Sequence, residues 1–329
     1  MCLVIRGAPP QIDDPQGQVK ISPEPELTPE QRTEVIDMIQ RNQDVFCTQP
    51  GRTTLVQHHI VTRPGVRVTI RPYRILETKR EEIRTEVKKM LELGVIEESH
   101  SQWSSPIVLV PKPDGTLRFC NNFRKLNEVS QFDAYPIPCI DELVDPLGKA
   151  QYLTTLDLTT GYWQIPLAEN AKEKTAFSTP NDLFQYTVLL FGLHGAPATF
   201  QRLMDKLLQP HAKYATAYLD DIVIHSPDWE THLGKVEAVL DVLWKASHSA
   251  NPLKCVIGLA EARYLGSVVG RGLVKPQWNK VEAIKGWPRP VRKKQVRAFP
   301  GMRDESPIVS YHFATRAGPL TDLIKARVG

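Results

Sequence analysis

The amino-acid sequence predicts an α+β fold. Apolar residues recur at helical spacing in several separate segments. Short β-branched runs bounded by turn residues lie between those segments. The two patterns mix without the regular strand–helix–strand rhythm of a doubly wound sheet. The 329 residues contain no internal repeat and suit about two domains. Apolar residues make up 41% and charged residues 24%, the balance of a soluble protein with a real core. Twenty-seven prolines signal abundant loops and turns.

Residues 1–62 read as a linker followed by a lead-in helix. The first 26 residues are rich in Pro, Gln and Asp. Thr28-Pro29-Glu30-Gln31 then opens a helix, with Thr28 as cap, Pro29 in the first turn and Gln31 completing a capping box. Val35, Ile36 and Ile39 form its expected buried stripe. Residues 48–75 are extended and basic, carrying Arg63, Arg67, Arg71 and Arg74. A second helix is predicted from about Glu77 to Leu93. Ile83, Val87, Met90 and Leu91 form its apolar face, and Gly94 supplies a left-handed cap.

"SSPIVLVPKPDGTLRFC" reads as a hairpin, Ile107 to Val110 against Leu117 to Cys120, with Pro113-Asp114-Gly115 in the turn. Pro146 falls inside the helix-like "DELVDPLGKA", where an interior proline would cost about 3 kcal/mol. A third strand lies near Tyr152 to Leu158. A helix starts at Ala196-Pro197 and runs through Phe200, Leu203, Met204 and Leu207. "YATAYLDDIVIHS" supplies two more strands, and Trp229 to Trp244 a helix with Leu233, Val236, Leu240 and Leu243 on one side. "ARYLGSVVG" is a strand pair or bend. From Lys280 to Arg303 the chain is strongly basic.

The net charge of +4 is a mild bias that permits an anionic partner. Five scattered cysteines show neither CxxC nor zinc spacing, so reduced intracellular thiols are expected. No apolar run approaches the roughly 18 residues of a membrane helix, and no membrane partner is expected.

Chemistry concentrates in three aspartates. Asp220 and Asp221 adjoin each other in "AYLDDIVIHS", between two apolar strands. Side chains alternate faces along a regular strand, so neighbours serve one site only where the strand turns. The expected strands, Thr216 to Leu219 and Ile222 to His225, place the pair at a hairpin tip. Asp-Asp is a poor two-residue turn, and like charges repel without a nearby cation. A local rule broken in this way points to function, although a solvated acidic turn is the other reading. Asp157 lies between Leu156 and Leu158 near a strand end, where it either caps a turn or needs a partner. Three carboxylates suit magnesium, and two such ions about 4 Å apart can activate a hydroxyl and stabilise a leaving pyrophosphate.

The ordered blocks "GVIEESHSQWSSPIVLVPKPDGTLRFC", "FRKLN", "LDLTTGYWQIPL", "EKTAFSTP", "LLFGLHGAPATFQRLMDKLL", "YLDDIVIHS" and "KVEAIKGWPRPVRKKQVRAF" strongly resemble the reverse transcriptase of Ty3/Gypsy-type LTR retrotransposons. The resemblance runs from about Thr28 to Leu323. It implies a right-hand polymerase fold, with an antiparallel palm sheet packed on helices. Residues 63–270 would form interleaved fingers and palm, and residues 271–329 a thumb or connection remnant ending before any ribonuclease H domain. The implied activity is RNA-directed DNA synthesis from a primer on an RNA or DNA template, with deoxynucleoside triphosphates as substrates. Two Mg²⁺ ions, or Mn²⁺, would be the cofactors, and the cytoplasm, retrotransposon particles or the nucleus the location.

Residue by residue, the resemblance makes Asp157, Asp220 and Asp221 the metal ligands. Tyr162 becomes the steric gate against a 2′-hydroxyl, with a core tyrosine as the alternative. Lys112 and Arg118 would hold the triphosphate, and Phe191 and Gly192 would form the nucleotide pocket. Lys254 would be a general acid for pyrophosphate, and Tyr264-Leu265-Gly266 the primer grip. The basic stretch Lys280 to Arg303 would follow the duplex backbone. The chain departs from the family pattern at Asn122 (commonly Asp), Leu190 (usually Pro), Pro146, Pro300 (usually Leu) and residues 303–310. These departures keep a second reading open, a decayed remnant that binds nucleic acid without catalysis. Any ribonuclease H label would be inherited from a parent polyprotein.

Overall fold

The structure, a computed structural model, describes residues 19–21, 27–111, 115, 117–180 and 182–276. Lys112, Pro300, residues 303–310 and the basic stretch from Lys280 to Arg303 lie outside the described residues. Strand β1 (Lys20–Ile21) is followed by helix α1 (Pro29–Arg41). The capping box forms as predicted. The Gln31 amide donates to Thr28 Oγ1 (3.2 Å) and the Thr28 amide to Gln31 Oε1 (2.9 Å). The buried stripe is Val35 and Met38 with Ile39 beside it, whereas Ile36 is 45% exposed. Ile36 follows Val35 by one residue, about 100° round the helix, and so leaves the packed face.

Helix α2 (Arg80–Glu92) is entered through a 3₁₀ turn at Glu77–Lys79. It buries Ile83, Val87 and Met90, while Leu91 is 40% exposed and not part of that face. Gly94, at φ +63°, ends the helix. The Gly94 amide donates to Leu91 O and the Val95 amide to Met90 O, the paired bonds of a Schellman motif.

Strand β2 (Ile96–Glu98), the hairpin β3 (Ser105–Pro111) and β4 (Leu117–Asn121), α3 (Arg124–Val129) and α4 (Ile140–Val144) follow. Helix α4 stops at Val144, and Pro146 sits in the first turn of a separate 3₁₀ helix, Asp145–Lys149. Its missing N–H would have no partner there, so the expected interior-proline cost does not arise. The remaining elements are β5 (Tyr152–Asp157), α5 (Glu169–Lys172), β6 (Phe177–Ser178), β7 (Leu183–Tyr186), α6 (Ala196–Leu208), β8 (Ala215–Tyr218) and β9 (Asp221–Ser226). Then come α7 (Trp229–Lys245), β10 (Val256–Leu259), β11 (Ala262–Tyr264), β12 (Ser267–Gly270) and β13 (Leu273–Pro276).

Among the described residues three sheets form. The central one runs β1-β10-β5-β9-β8 and is antiparallel except where β1 meets β10. The second runs β2-β7-β6-β3-β4 and the third β11-β12-β13. Helix α6 packs on β8, and α7 on β9 and β5. The central sheet is buried on both faces. Leu156, Ile222 and Ile224 enter the main core with Phe200 and Met204 of α6 and Val236, Val239 and Leu240 of α7. Leu153 and Val223 point the other way, into a smaller cluster with Val144, Leu147, Ala262 and Tyr264. Burial on both faces explains why β9 reads as a continuous apolar run rather than an alternating one.

Val45, Phe46 and Ile60 share the main core with β9. These residues before position 63 therefore pack into the same core as the sheet. The expected boundary at 270/271 falls in the turn between β12 and β13.

Candidate active site

Strand β9 begins at Asp221, not after it. The turn of the β8–β9 hairpin is Leu219-Asp220, because Tyr218 pairs with Asp221 across it. This corrects the expectation that Asp220 and Asp221 share the tip. Leu219 takes the positive φ of the turn, +55°, a conformation that costs an L-residue about 1–2 kcal/mol. On the other side of β9, Asp157 is the direct partner of Asp221, after Leu156 with Ile222 and Thr155 with Val223. Alternation puts Asp157 and Asp221 on the same face as Thr155 and Val223. Directly opposed residues have β-carbons about 4.5–5.5 Å apart, and like charges at such a pair destabilise a sheet. Asp220 joins them from the turn, and its main-chain oxygen accepts from the Leu158 amide at 2.9 Å.

The electrostatics follow from this crowding. Burial, then the Asp157 charge, raises the Asp220 carboxyl above its ordinary value. Burial, then the charges of Asp220 and Asp157, pushes Asp221 up to about 7. Asp221 nevertheless keeps an exposed surface, so the like-charge part of its shift has the firmer physical footing. Asp157 is also raised by burial, against the pull of Lys254. The Lys254 ammonium donates to both carboxylate oxygens, at 2.8 Å to Oδ1 and 3.0 Å to Oδ2. Lys254 thus supplies the positive charge the cluster calls for. Three acceptor-only carboxylates are the donor type that suits Mg²⁺ or Mn²⁺. As placed, with Asp157 turned to Lys254, no three carboxylate, imidazole or thiol groups among the described residues form a metal-holding set.

Tyr162 lies in the 3₁₀ turn Gly161–Gln164 and is 3% exposed. Its ring packs on Phe191 (centroids 4.2 Å apart) and Phe200 (5.3 Å). Burial and then the nearby Asp220 charge raise its hydroxyl above the usual tyrosine range. Gly161 lets the turn approach. A β-carbon there would lie 2.8 Å from Asp220 Cβ and 3.1 Å from the Phe200 ring. Gly192 is exposed at φ +94°, and its carbonyl accepts from Asn127 Nδ2 at 2.7 Å. Tyr264 ends β11, and its hydroxyl donates weakly to Asp221 O at 3.5 Å. Leu265 and Gly266, at φ +46° and +85°, form the next two-residue turn. Arg118 lies on β4 opposite Val110.

Residues 110–269 match a family model described as "Reverse transcriptase (RNA-dependent DNA polymerase)". The chain carries a reverse transcriptase domain. It is 38% identical over 281 residues to the retrovirus-related Pol polyprotein from transposon 297 of Drosophila melanogaster, covering 84% of this chain and 26% of that protein. To the polyprotein from transposon gypsy of the same fly it is 35% identical over 309 residues, covering 91% and 30%. The chain therefore spans between a quarter and a third of the length of these Ty3/Gypsy-type relatives. Among solved structures, a foamy viral protease-reverse transcriptase in complex with dsDNA matches with TM-score 0.82 and 22% identity, over 92% of this chain and 64% of that one. The same viral protein in complex with RNA/DNA hybrid gives TM-score 0.79 at 22% identity, over 92% and 41%. These likenesses show the α+β polymerase fold.

Within the reverse transcriptase domain, the geometry gathers Asp157, Asp220, Asp221, Lys254, Tyr162 and Phe191 at one end of the β5–β9–β8 strands. Tyr264 reaches the same end from the third sheet. Asn122, the departure next to the β3–β4 hairpin, accepts from Arg124 Nε at 2.9 Å and donates to the Tyr73 hydroxyl at 3.2 Å. Leu190 is buried at 4% exposure. Two residues of the site had no role in the sequence reading. Gly161 is one. The other is Gln201, which is fully buried on α6 and bonds the backbone at the end of β8 and at the first residue of the Leu219-Asp220 turn. A polar residue next to Phe200 on a core-facing helix was the available signal.

Proposed function

We propose that this domain copies an RNA or DNA template into DNA, extending a primer with deoxynucleoside triphosphates. The observation that supports it most is the pairing of Asp157 with Asp221 across β5 and β9, beside Asp220 in the turn. Three mutually repelling carboxylates meet there with Lys254 as their one contacting ammonium among the described residues, on Asp157, and divalent cations would relieve the rest of the repulsion. Asp157, Asp220 and Asp221 would hold two Mg²⁺ or Mn²⁺ ions, whose chemistry when bound is Lewis-acid activation of a hydroxyl and charge on a phosphoryl group. The primer 3′-hydroxyl would give up its proton to water and attack the α-phosphorus, the bond to the bridging oxygen would break, and pyrophosphate would leave. Lys254, which already donates to Asp157, is the proposed proton donor to that leaving group.

Tyr162, packed on Phe191, is the proposed gate against ribonucleotides, with Gly192 leaving room beside it. Lys112 and Arg118 hold the triphosphate, and Tyr264, Leu265 and Gly266 support the primer end. Tyr162→Ala should weaken discrimination against ribonucleotides. It should also cost about 3–5 kcal/mol of stability because it empties a core site; unchanged discrimination in a folded variant rejects the gate. The activity itself is tested by primer extension on an RNA template with Mg²⁺, alongside Asp220→Asn. Template-dependent extension by the wild type that Asp220→Asn abolishes is expected. No extension, or extension indifferent to Asp220, overturns the reading.

A further inference from the structure

We propose that Gln201 is a positioning residue that sets the Leu219-Asp220 turn, and so the presentation of Asp220 toward divalent cations. Gln201 projects from α6 and is fully buried. Its Oε1 accepts from the Leu219 amide at 2.8 Å, and its Nε2 donates to Ala217 O at 3.0 Å. One side chain therefore spans the last residues of β8 and the first residue of the turn. The same Nε2 donates to Asp205 Oδ1 at 2.8 Å, and Asp205 Oδ2 accepts from the Tyr135 hydroxyl at 2.7 Å. The ring of Tyr135 lies under the Arg202 guanidinium, 4.6 Å from its centroid, and Arg202 forks onto Asp133.

This chain of contacts leaves the amide one orientation. A carbonyl and a carboxylate only accept and an N–H only donates, so exchanging Oε1 and Nε2 would break all three bonds. The turn needs such support because Leu219 is held at positive φ without glycine. Local chemistry does not favour the conformation, and a bond from outside the hairpin holds it. The side chain acts through the backbone and touches no reacting atom.

The inference rests on the proposed metal-dependent reaction, and its test separates the two. Mn²⁺ binding to the whole chain is measured by electron paramagnetic resonance, without template or nucleotide, for wild type, Gln201→Leu and Tyr135→Phe. Gln201→Leu removes both bonds to the hairpin and should weaken Mn²⁺ binding about tenfold, the loss typical of a group that orients a metal ligand. Tyr135→Phe frees one oxygen of Asp205 and should weaken it about two- to threefold, roughly a fraction of that loss. In primer extension the Mg²⁺ midpoint should rise by the same factors, while the nucleotide KM at saturating Mg²⁺ stays put. If Gln201→Leu does not fold, Tyr135→Phe decides. Wild-type Mn²⁺ affinity in every variant that folds overturns the proposal. A wild type that binds Mn²⁺ but does not extend primers sinks the polymerase reading and leaves the positioning role standing on the binding data.

Discussion

Two hairpins of this molecule close with two-residue turns that begin with leucine, and they are held in different ways. In the β11–β12 hairpin, Leu265 and Gly266 both take positive φ, and glycine fills the second position. This is the local chemistry a tight hairpin asks for. In the β8–β9 hairpin, Leu219 takes positive φ at +55° and aspartate follows. No glycine relieves the turn, the Asp220 carboxylate faces like charges, and the Leu219 amide is held by Gln201 from α6. The first turn is specified by its own residues. The second is specified by tertiary contacts, which allow it to carry a chemically costly residue.

The sharpest break in this comparison is Asp220→Asn. Removing a proposed metal ligand should lower extension by more than the roughly 10–100-fold that loss of an orienting partner costs. Because burial and the Asp157 charge raise the Asp220 carboxyl, the same change should leave the chelated protein at least as heat-stable as wild type. Activity and thermal melting measured on one preparation decide it, and a variant that loses both together would make Asp220 a structural residue.

Lys254→Met tests the cation that stands in for metal. Its ammonium contacts both oxygens of Asp157. Without it, divalent ions meet no competitor there, so Mn²⁺ should bind more tightly. The catalytic rate at saturating metal should still fall about 100-fold, the lower range for a lost general acid. Tight binding with an unchanged rate would leave Lys254 as a counter-ion alone.

The two leucines allow a direct exchange. Leu219→Gly and Leu265→Gly each relieve about 1–2 kcal/mol of left-handed backbone cost while giving up a half-buried side chain. Their denaturation midpoints should stay close to wild type. Their kinetic effects should separate. Leu219→Gly should raise the Mg²⁺ requirement and leave primer affinity alone, and Leu265→Gly should do the reverse. Identical kinetic effects would erase the distinction between a metal turn and a primer turn.

The contrast also shows what a sequence can carry. The capping box at Thr28 and Gln31, the glycine end of α2 and the partnership of Asp157 with the Asp220–Asp221 pair were legible, because each rests on local residue chemistry or an ordered set of motifs. Phase was less legible than period. Ile36 and Leu91 belong to apolar patterns yet face solvent, and Asp221 moved from turn to strand because the preceding leucine absorbed the unfavourable dihedral. Pro146 read as a helix breaker, but the chain starts a new 3₁₀ helix there. Gln201 was hidden because its role depends on a strand end sixteen residues away in sequence. The Asn122 and Pro146 departures are accommodated in the fold.

The smallest expected effect concerns pH and needs a difference measurement. The Asp221 carboxyl is pushed up to about 7 in the folded protein, against about 4 in an unfolded chain. A raised folded value means that the folded state holds the extra proton. The stability tied to it is full below the unfolded value and is lost as pH climbs through the folded one, a window of about pH 4 to 7. Buried His58, His232 and His248 work against this. Burial lowers each to about 4, so they add stability as pH rises toward the ordinary imidazole range. A wild-type melting curve alone therefore does not isolate the aspartates. Subtracting it from the curve of Asp221→Asn cancels the histidines. In chelator the variant's advantage should grow from pH 5 to pH 8. The gain should be small, because solvent screens the exposed side of Asp221, and Mg²⁺ should shrink it by neutralising the carboxylates in the wild type. An advantage that stays flat with pH would mean that Asp221 feels neither burial nor its neighbours' charge, and the two turns would then differ in backbone support alone.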